Sequence, residues 1–325
     1  MGLRAQGRAR RLAAVVDVDA GRRNWVTAGV DAGALRALAE TLAPSELWSL
    51  LLWVAEQRAA RRTPAAVLEQ WRNDRFVAPS EVDQRVLVEL DRELLAAAHA
   101  FESIELAPLA PLGSCSAVAL TAQNRIVSSL RGTEVVSDPT NVLALESARR
   151  LREHPALTVR LATSHRCVRA QPFPDQPGFA AHFRMFCLTT AGHEIEDQGF
   201  VVGALVEHVR THLAALDRLE SRGYRFPDRT VTLKSTAERE PLARRVAGAL
   251  PGMSVVHERL EHDYYHGLRF MIGARGVDGG GIPLIDGGAF DWLAKLMSNR
   301  KAVFVASAIG SQLAAFLFRP AAGAR

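Results

Sequence analysis

Arg166 and Arg169 stand three residues apart in HRCVRAQPF, at the end of a run with strand character, and Arg184 follows in FAAHFRMF after a Pro- and Gly-bearing loop. Two strands joined by a loop, each offering an arginine, suit a polyphosphate clamp, because guanidinium forks match phosphate oxygens. The same residues serve equally well in surface salt bridges. In EHDYYHGLRF, Tyr264 and Tyr265 are either core aromatics or the wall of a small-molecule pocket. Adjacent side chains of an extended segment point to opposite faces, so one tyrosine is expected to face a ligand while the other packs. Gly287 and Gly288 follow a strand-like run and precede the helix-like AFDWLAKLM, a place where glycine lets backbone approach a ligand closely.

Other patterns argue for plainer roles. The histidines of HERLEH, His257 and His262, are five apart, which turns them about 140° from one another on a helix and spoils a zinc-protease pair. GARGVDGGGIPLIDGG lacks the spacing and the Lys-Ser/Thr ending of a phosphate loop, so a hairpin turn at Asp278-Gly279-Gly280-Gly281 is the simpler account. Cys115, Cys167 and Cys187 are odd in number and have no metal-ligand spacing, which favours reduced, buried thiols.

The elements that must carry these groups follow from periodicity. With 325 residues, 48% of them hydrophobic, the chain can bury a large core and is long enough for a domain with an extension. From about 30 to 76, Leu35, Leu38, Leu42, Leu47, Leu50, Leu51 and Val54 recur at helical spacing, with helix starts at Pro44-Ser45-Glu46 and Thr63-Pro64. This predicts an N-terminal helical extension, 1–80. A second helix is expected from Pro79-Ser80, with Val82, Val86, Leu90, Leu94 and Leu95 on one face. FESIELAPLAPLG then reads as an edge or interface strand. Strand-like runs at LTVRLATSH, HFRMFCLTT, RTVTLKS, GLRFMIGA and AVFVASAIG alternate irregularly with helical stretches at 139–151, 200–222, 237–249 and 289–297. The fold class is therefore α+β, a mainly antiparallel sheet flanked by helices over 81–325. No window reaches the roughly 18 uncharged apolar residues of a membrane span, and Asp17 and Asp19 interrupt a signal-peptide core. A cytoplasmic location is expected, with no membrane partner. The net charge of +5, from 40 basic and 35 acidic residues, includes clusters at Arg4, Arg8, Arg10 and Arg11 and at Arg58, Arg61 and Arg62. Solvated faces explain these clusters better than phosphate binding.

Taken in order, the segments resemble the catalytic core of the class II aminoacyl-tRNA synthetases, specifically the histidyl-tRNA synthetase branch, over about residues 81–318. The helix at 81–100 with FESIELAPLAPLG resembles motif 1, which implies a homodimer formed through 81–113. SDPTNVLALESARR is similar to a segment of the amino-acid pocket and implies ligand-binding roles for Asp138 and Thr140. CVRAQPFPDQPGFAAHFRMF resembles motif 2 and implies nucleotide contacts for Arg169, Arg184 and Gln171. DYYHGLRF and IDGGAFDWL resemble the histidine-specific elements, which adds Tyr264, Tyr265, Gly287 and Gly288 to the small-molecule site. ASAIGSQLAAF falls where motif 3 belongs. The resemblance also implies ATP with Mg2+ as a possible cofactor.

Departures from that pattern bear on function. The motif 3 arginine falls at Gln312 and the adenine-contacting glutamate of motif 2 at Gln171. The ammonium-binding Gln and Glu fall near Leu188 and Thr190, and the arginine of the RGLDYY-type element falls at Leu260, with Arg259 one residue away. Loss of two cationic groups would remove about 3 kcal/mol of transition-state stabilisation each. No segment corresponds to an anticodon-binding domain. The expectation is a paralogue that does not charge full tRNA and binds a ligand as a regulatory subunit. It is similar to the regulatory subunit of ATP phosphoribosyltransferase in histidine biosynthesis, which pairs with a short-form catalytic subunit. The alternative is an adenylate-forming, ATP-dependent ligase acting on an amino or carboxylic acid for a non-tRNA acceptor, and a synthetase-like dimeric scaffold is a third reading.

Overall fold

A computed structural model describes residues 29–173, 178–276 and 279–319. The basic cluster at Arg4–Arg11, the 174–177 part of the motif 2-like loop and Asp278 of the glycine-rich turn lie outside these residues. The chain divides into two compact units, one of residues up to Glu69 with Ser129–Gly132 and one of Gln70–Ser128 with Thr133–Arg325.

Between 29 and 69 the described residues of the first unit are mainly helical. Asp31 accepts from the backbone N–H of Ala34 to start α1 (Ala32–Arg36). Helix α2 (Pro44–Ala59) begins with proline at its first position, and Glu46 reaches back to the N–H of Ala43 at 2.9 Å. Both devices satisfy N–H groups that a helix start leaves unpaired. None of the residues of α2 is buried. A third helix, α3 (Pro64–Asn73), continues past the unit boundary.

The second unit is built on an eight-stranded sheet in the order β1-β5-β6-β11-β10-β9-β7-β8. Its strands are β1 (Glu102–Ser103), β5 (Val159–Val168), β6 (His182–His193), β7 (Thr230–Ser235), β8 (Val255–Arg259), β9 (Leu268–Arg275), β10 (Gly281–Phe290) and β11 (Ala302–Ile309). The interior pairs are antiparallel and only the two outermost, β1–β5 and β7–β8, are parallel. The sheet is thus mixed but mainly antiparallel, and the α+β class holds. A smaller sheet joins β2 (Leu109–Pro111), β4 (Thr133–Val135) and β3 (Ser128–Ser129) in that order.

Helices cover both faces, so β6 is buried continuously from Phe186 to Gly192. Helices α5 (Pro139–Glu153) and α8 (Trp292–Met297) pack on what we call the front, around Leu143, Leu151, Phe290 and Phe304. Helices α4 (Gln84–Ala97), α6 (Gly199–Glu220), α7 (Glu240–Gly248) and α9 (Ser311–Leu317) cover the rear, around Leu90, Leu94, Leu216 and Phe270. The helix expected from Pro79-Ser80 begins only at Gln84, capped by Asp83, so Val82 precedes it; on α4, Leu87, Leu90 and Leu94 are buried and Val86 and Leu95 pack at the margin. No helix among the described residues is long and apolar enough to cross a membrane.

HERLEH begins as the edge strand β8. Two further local expectations differ from the structure. FESIELAPLAPLG is two strands, β1 and β2, in different sheets, with Pro108 between them and Pro111 ending β2. Gly287 and Gly288 lie inside β10, paired on both sides, and the helix starts only at Trp292.

Candidate functional site

At the front lies a two-lobed cavity of about 450 and 330 Å3, the second lobe floored by β6, β10 and β11. Asp138, Arg169 and Tyr264 line both lobes. Asp138 is placed by chemistry legible in SDPT: it is the N-cap of α5, proline takes the first helical position, and its Oδ1 accepts from Thr140 N–H at 3.0 Å and Thr140 Oγ1 at 2.7 Å. Its other oxygen faces the Arg169 guanidinium at 3.7 Å. Arg169 also donates to the carbonyl of Ser137 at 3.0 Å and lies over the Phe183 ring at 5.1 Å. Part of its hydrogen-bonding capacity is therefore committed within the protein.

The tyrosines sit in a turn before β9, not in an extended segment, and both line the second lobe, although they differ in burial. Tyr265 is buried, and its ring lies 5.0 Å from Phe290 and 5.1 Å from the Arg269 guanidinium. Burial first, then the charge of Asp286, pushes its phenol well above the usual range. Tyr264 is 40% exposed and stands edge-on to Tyr265, Phe290 and Trp292. It presents its ring to both lobes. Gly288 makes this arrangement possible, since a Cβ there would meet the Leu268 carbonyl and come within 2.5 Å of the Tyr265 ring. At Gly287 a Cβ would meet Ser307, the Ala306 carbonyl and Phe270. Close packing between strands and aromatic rings accounts for both glycines, although Gly287 also lines the second lobe.

The other expected residues separate. Gln171 lines the first lobe, and the carbonyls of Ala170 and Gln171 accept from Arg75 at 2.8 and 3.2 Å. Arg184 does not join Arg169. Across β5–β6 it is paired with Arg166, one residue out of phase with Cys167 and Phe183, so alternation sends its side chain to the rear. There it pairs with Asp91 at 2.7 Å and donates to Ser164 Oγ at 3.1 Å. The same alternation turns Leu188 into the rear core and Thr190 onto His208. The cavity-facing residues of β6 are Phe183 and Met185, which are apolar. Gln312 is buried and accepts from Ser80 Oγ at 3.2 Å, and Leu260 is buried in the front core.

Several lining groups carried no sequence signal that singled them out. Arg125 reaches the first lobe from a single turn of 3-10 helix. Asp286 lines the second lobe and holds Arg269 in a two-pronged ion pair at 2.9 and 2.8 Å; its position beside Gly287 was the available clue. Asn141, three residues into the capped turn, is buried with Oδ1 unpartnered and donates to Cys115 Sγ at 3.0 Å. Burial pushes the Cys115 thiol up to about 11, which keeps it protonated and unsuited to nucleophilic attack. All three cysteines are free and buried.

No family model matches the sequence, and no curated protein matches it. Solved structures do match the fold. One is an ATP phosphoribosyltransferase regulatory subunit/histidyl-tRNA synthetase from Bacillus halodurans, with a TM-score of 0.55 and 15% identity over 74% of this chain and 81% of that one. A histidine–tRNA ligase subunit from Alicyclobacillus acidocaldarius gives 0.53 and 14% over 73% of this chain and 94% of that one. Apo histidyl-tRNA synthetase from S. aureus gives 0.50 and 13% over 71% of this chain and 64% of that one. The chain has a class II synthetase-like, histidyl-tRNA synthetase-like fold.

Proposed function

We propose that this class II synthetase-like chain binds a small amino-acid-like molecule in the front cavity and does not charge tRNA, acting as a regulatory subunit. The observation that carries this reading is the charge balance of the cavity. Arg125, Asp138 and Arg169 line the first lobe and Asp138, Arg169 and Asp286 the second; Asp286 is taken by Arg269, whereas Asp138 and Arg169 meet each other only at 3.7 Å. One carboxylate and one guanidinium at the mouth of an aromatic wall suit a ligand carrying both charges. A polyphosphate needs an excess of cationic donors, and Arg184 supplies none because it is paired on the rear face.

The same residues argue against ATP with Mg2+. Gln312, at the motif 3-like position, is tied to Ser80. In the proposed role, Asp138 receives the ligand ammonium, Arg169 its carboxylate, and Tyr264 stacks on its side chain.

The proposed assembly is a homodimer through 81–113 with a short-form ATP phosphoribosyltransferase catalytic subunit as partner, by likeness to the regulatory proteins that share the fold. Calorimetric titration with L-histidine and with ATP–Mg2+ tests the ligand, and co-purification with, and stimulation of, such a catalytic subunit tests the partner. Histidine binding without carboxylate-dependent exchange of pyrophosphate into ATP is expected. Exchange with any amino or carboxylic acid would overturn the reading in favour of an adenylate-forming ligase. Sedimentation as a monomer at micromolar concentration would sink the dimer.

A further inference from the structure

The rear face of the β5–β6 pair carries a second cavity, of about 560 Å3. The segment Phe76–Val82 and the start of α4 form one wall, and Arg166, His182 and Arg184 project from the strands opposite. Arg166 and Arg184 are directly paired across the two antiparallel strands, so their side chains stand side by side on one face. Like charges in that position repel. Asp91 pairs with Arg184 at 2.7 Å and also accepts from Ser164. Among the described residues, Arg166 has no carboxylate in direct contact. Its guanidinium donates to His182 Nδ1 at 2.9 Å, while His182 Nε2 lies 2.6 Å from the carbonyl of Ala78. A carbonyl can only accept, so Nε2 carries the proton and Nδ1 is the acceptor. The imidazole thereby orients Arg166 into the cavity.

A partly buried guanidinium beside a second one, with no carboxylate of its own among the described residues, is electrostatically unfinished. Burial first, and the charge of Arg184 second, hold Arg166 below its usual range. The remaining walls are mixed: Phe76, Val77, Pro79, Val82, Leu87 and Val168 supply apolar surface, and Ser80 and Gln84 add two polar side chains. We propose that this rear cavity is a binding site for a small organic oxyanion with an apolar body, its carboxylate or phosphate head held by Arg166 and Arg184. The site is separate from the front cavity and stands whether or not the front binds an amino acid. A link between them exists, because Arg75, at the head of the same wall, grips the carbonyls of Ala170 and Gln171, and Gln171 lines the front cavity.

Calorimetric titration of the full chain with phenyl phosphate, benzoate and inorganic phosphate tests this site. Binding of phenyl phosphate or benzoate is expected, and whichever binds more tightly identifies the head group. Inorganic phosphate should bind more weakly than phenyl phosphate. Loss of a charged hydrogen bond in Arg166→Gln should weaken the organic anion by about tenfold or more, whereas Arg169→Gln, on the front face, should change it by less than about twofold. Arg166→Lys, which keeps the charge but loses the fork, should fall between wild type and Arg166→Gln, and circular dichroism checks that it is folded. No binding of any probe to the wild-type chain overturns the proposal. So does an Arg169→Gln loss as large as that of Arg166→Gln, or inorganic phosphate binding as tightly as phenyl phosphate.

Discussion

The two faces of one strand pair hold their arginines differently. At the front, Arg169 meets a carboxylate, a carbonyl and an aromatic ring, and the cavity is close to neutral. At the rear, Arg166 and Arg184 stand side by side and, among the described residues, only Arg184 has a carboxylate partner, Asp91. Arginine content therefore says little about anion binding until each guanidinium has been matched with the groups that already occupy it. A synthetase-like pattern of arginines in the sequence distributes here between two cavities of opposite character.

The largest test removes the front aromatic wall. Phe290 touches Tyr265 and Trp292 at 5.0 and 4.0 Å, so Phe290→Ala should cost about 3–5 kcal/mol in urea unfolding and abolish front-site binding. If the faces are independent, oxyanion binding at the rear survives; joint loss would merge the two sites.

Acid probes the rear support alone. His208 and His212 on α6 are fully buried and both hydrogen-bond to Ser307 Oγ at 2.8 Å. Burial lowers His212 to about 3 and His208 well below its usual value. A histidine with a depressed folded pKa contributes its stability above the unfolded value near 6.5 and loses it as pH falls, because the unfolded chain binds the proton first. His212 alone should cost about 3 kcal/mol by pH 4, at about 1.4 kcal/mol per unit. Urea midpoints measured from pH 7 to 4 should fall less steeply in His212→Gln, and superimposable profiles would refute the assignment.

A smaller effect sharpens the charge contrast. Asp91→Asn should destabilise by about 2 kcal/mol, less than a fully buried pair because Arg184 is partly exposed. The same variant should tighten oxyanion binding at the rear, since the competing carboxylate is gone; weaker binding would contradict this account of the rear charges. The smallest effect is at the front: Asp138→Ala should cost about 1 kcal/mol through loss of the α5 cap and should eliminate ammonium-dependent ligand binding, whereas Asp138→Asn keeps the cap and still loses the ligand.

What the sequence disclosed follows from how local each signal is. The Asp138-Pro139 helix start and the apolar face of α4 depend on neighbours within one or two turns, and both are present, although α4 begins at Gln84 and not at Pro79-Ser80. The tyrosine pair was read by strand alternation, but it lies in a turn and both rings line the second lobe. The direction of Arg184 was not legible, because it depends on strand parity across a loop whose length leaves the register open. The same parity moves Leu188 and Thr190 to the rear. Gly287 and Gly288 looked like a junction because no local pattern shows that β9 and β11 flank them on both sides. Arg125 and Asp286 reach the cavity through tertiary packing, which leaves no trace in spacing.

Trp292, 3% exposed and with its ring 4.0 Å from Phe290, gives the front cavity an optical reporter that the rear lacks. Replacing Trp25, Trp48, Trp53 and Trp71 by phenylalanine would leave its emission alone. A molecule stacking on Tyr264, whose ring is 6.1 Å from the indole, would then change the fluorescence, while one at Arg166 would leave it dark. The two faces could be titrated in a single cuvette, one by light and the other by heat.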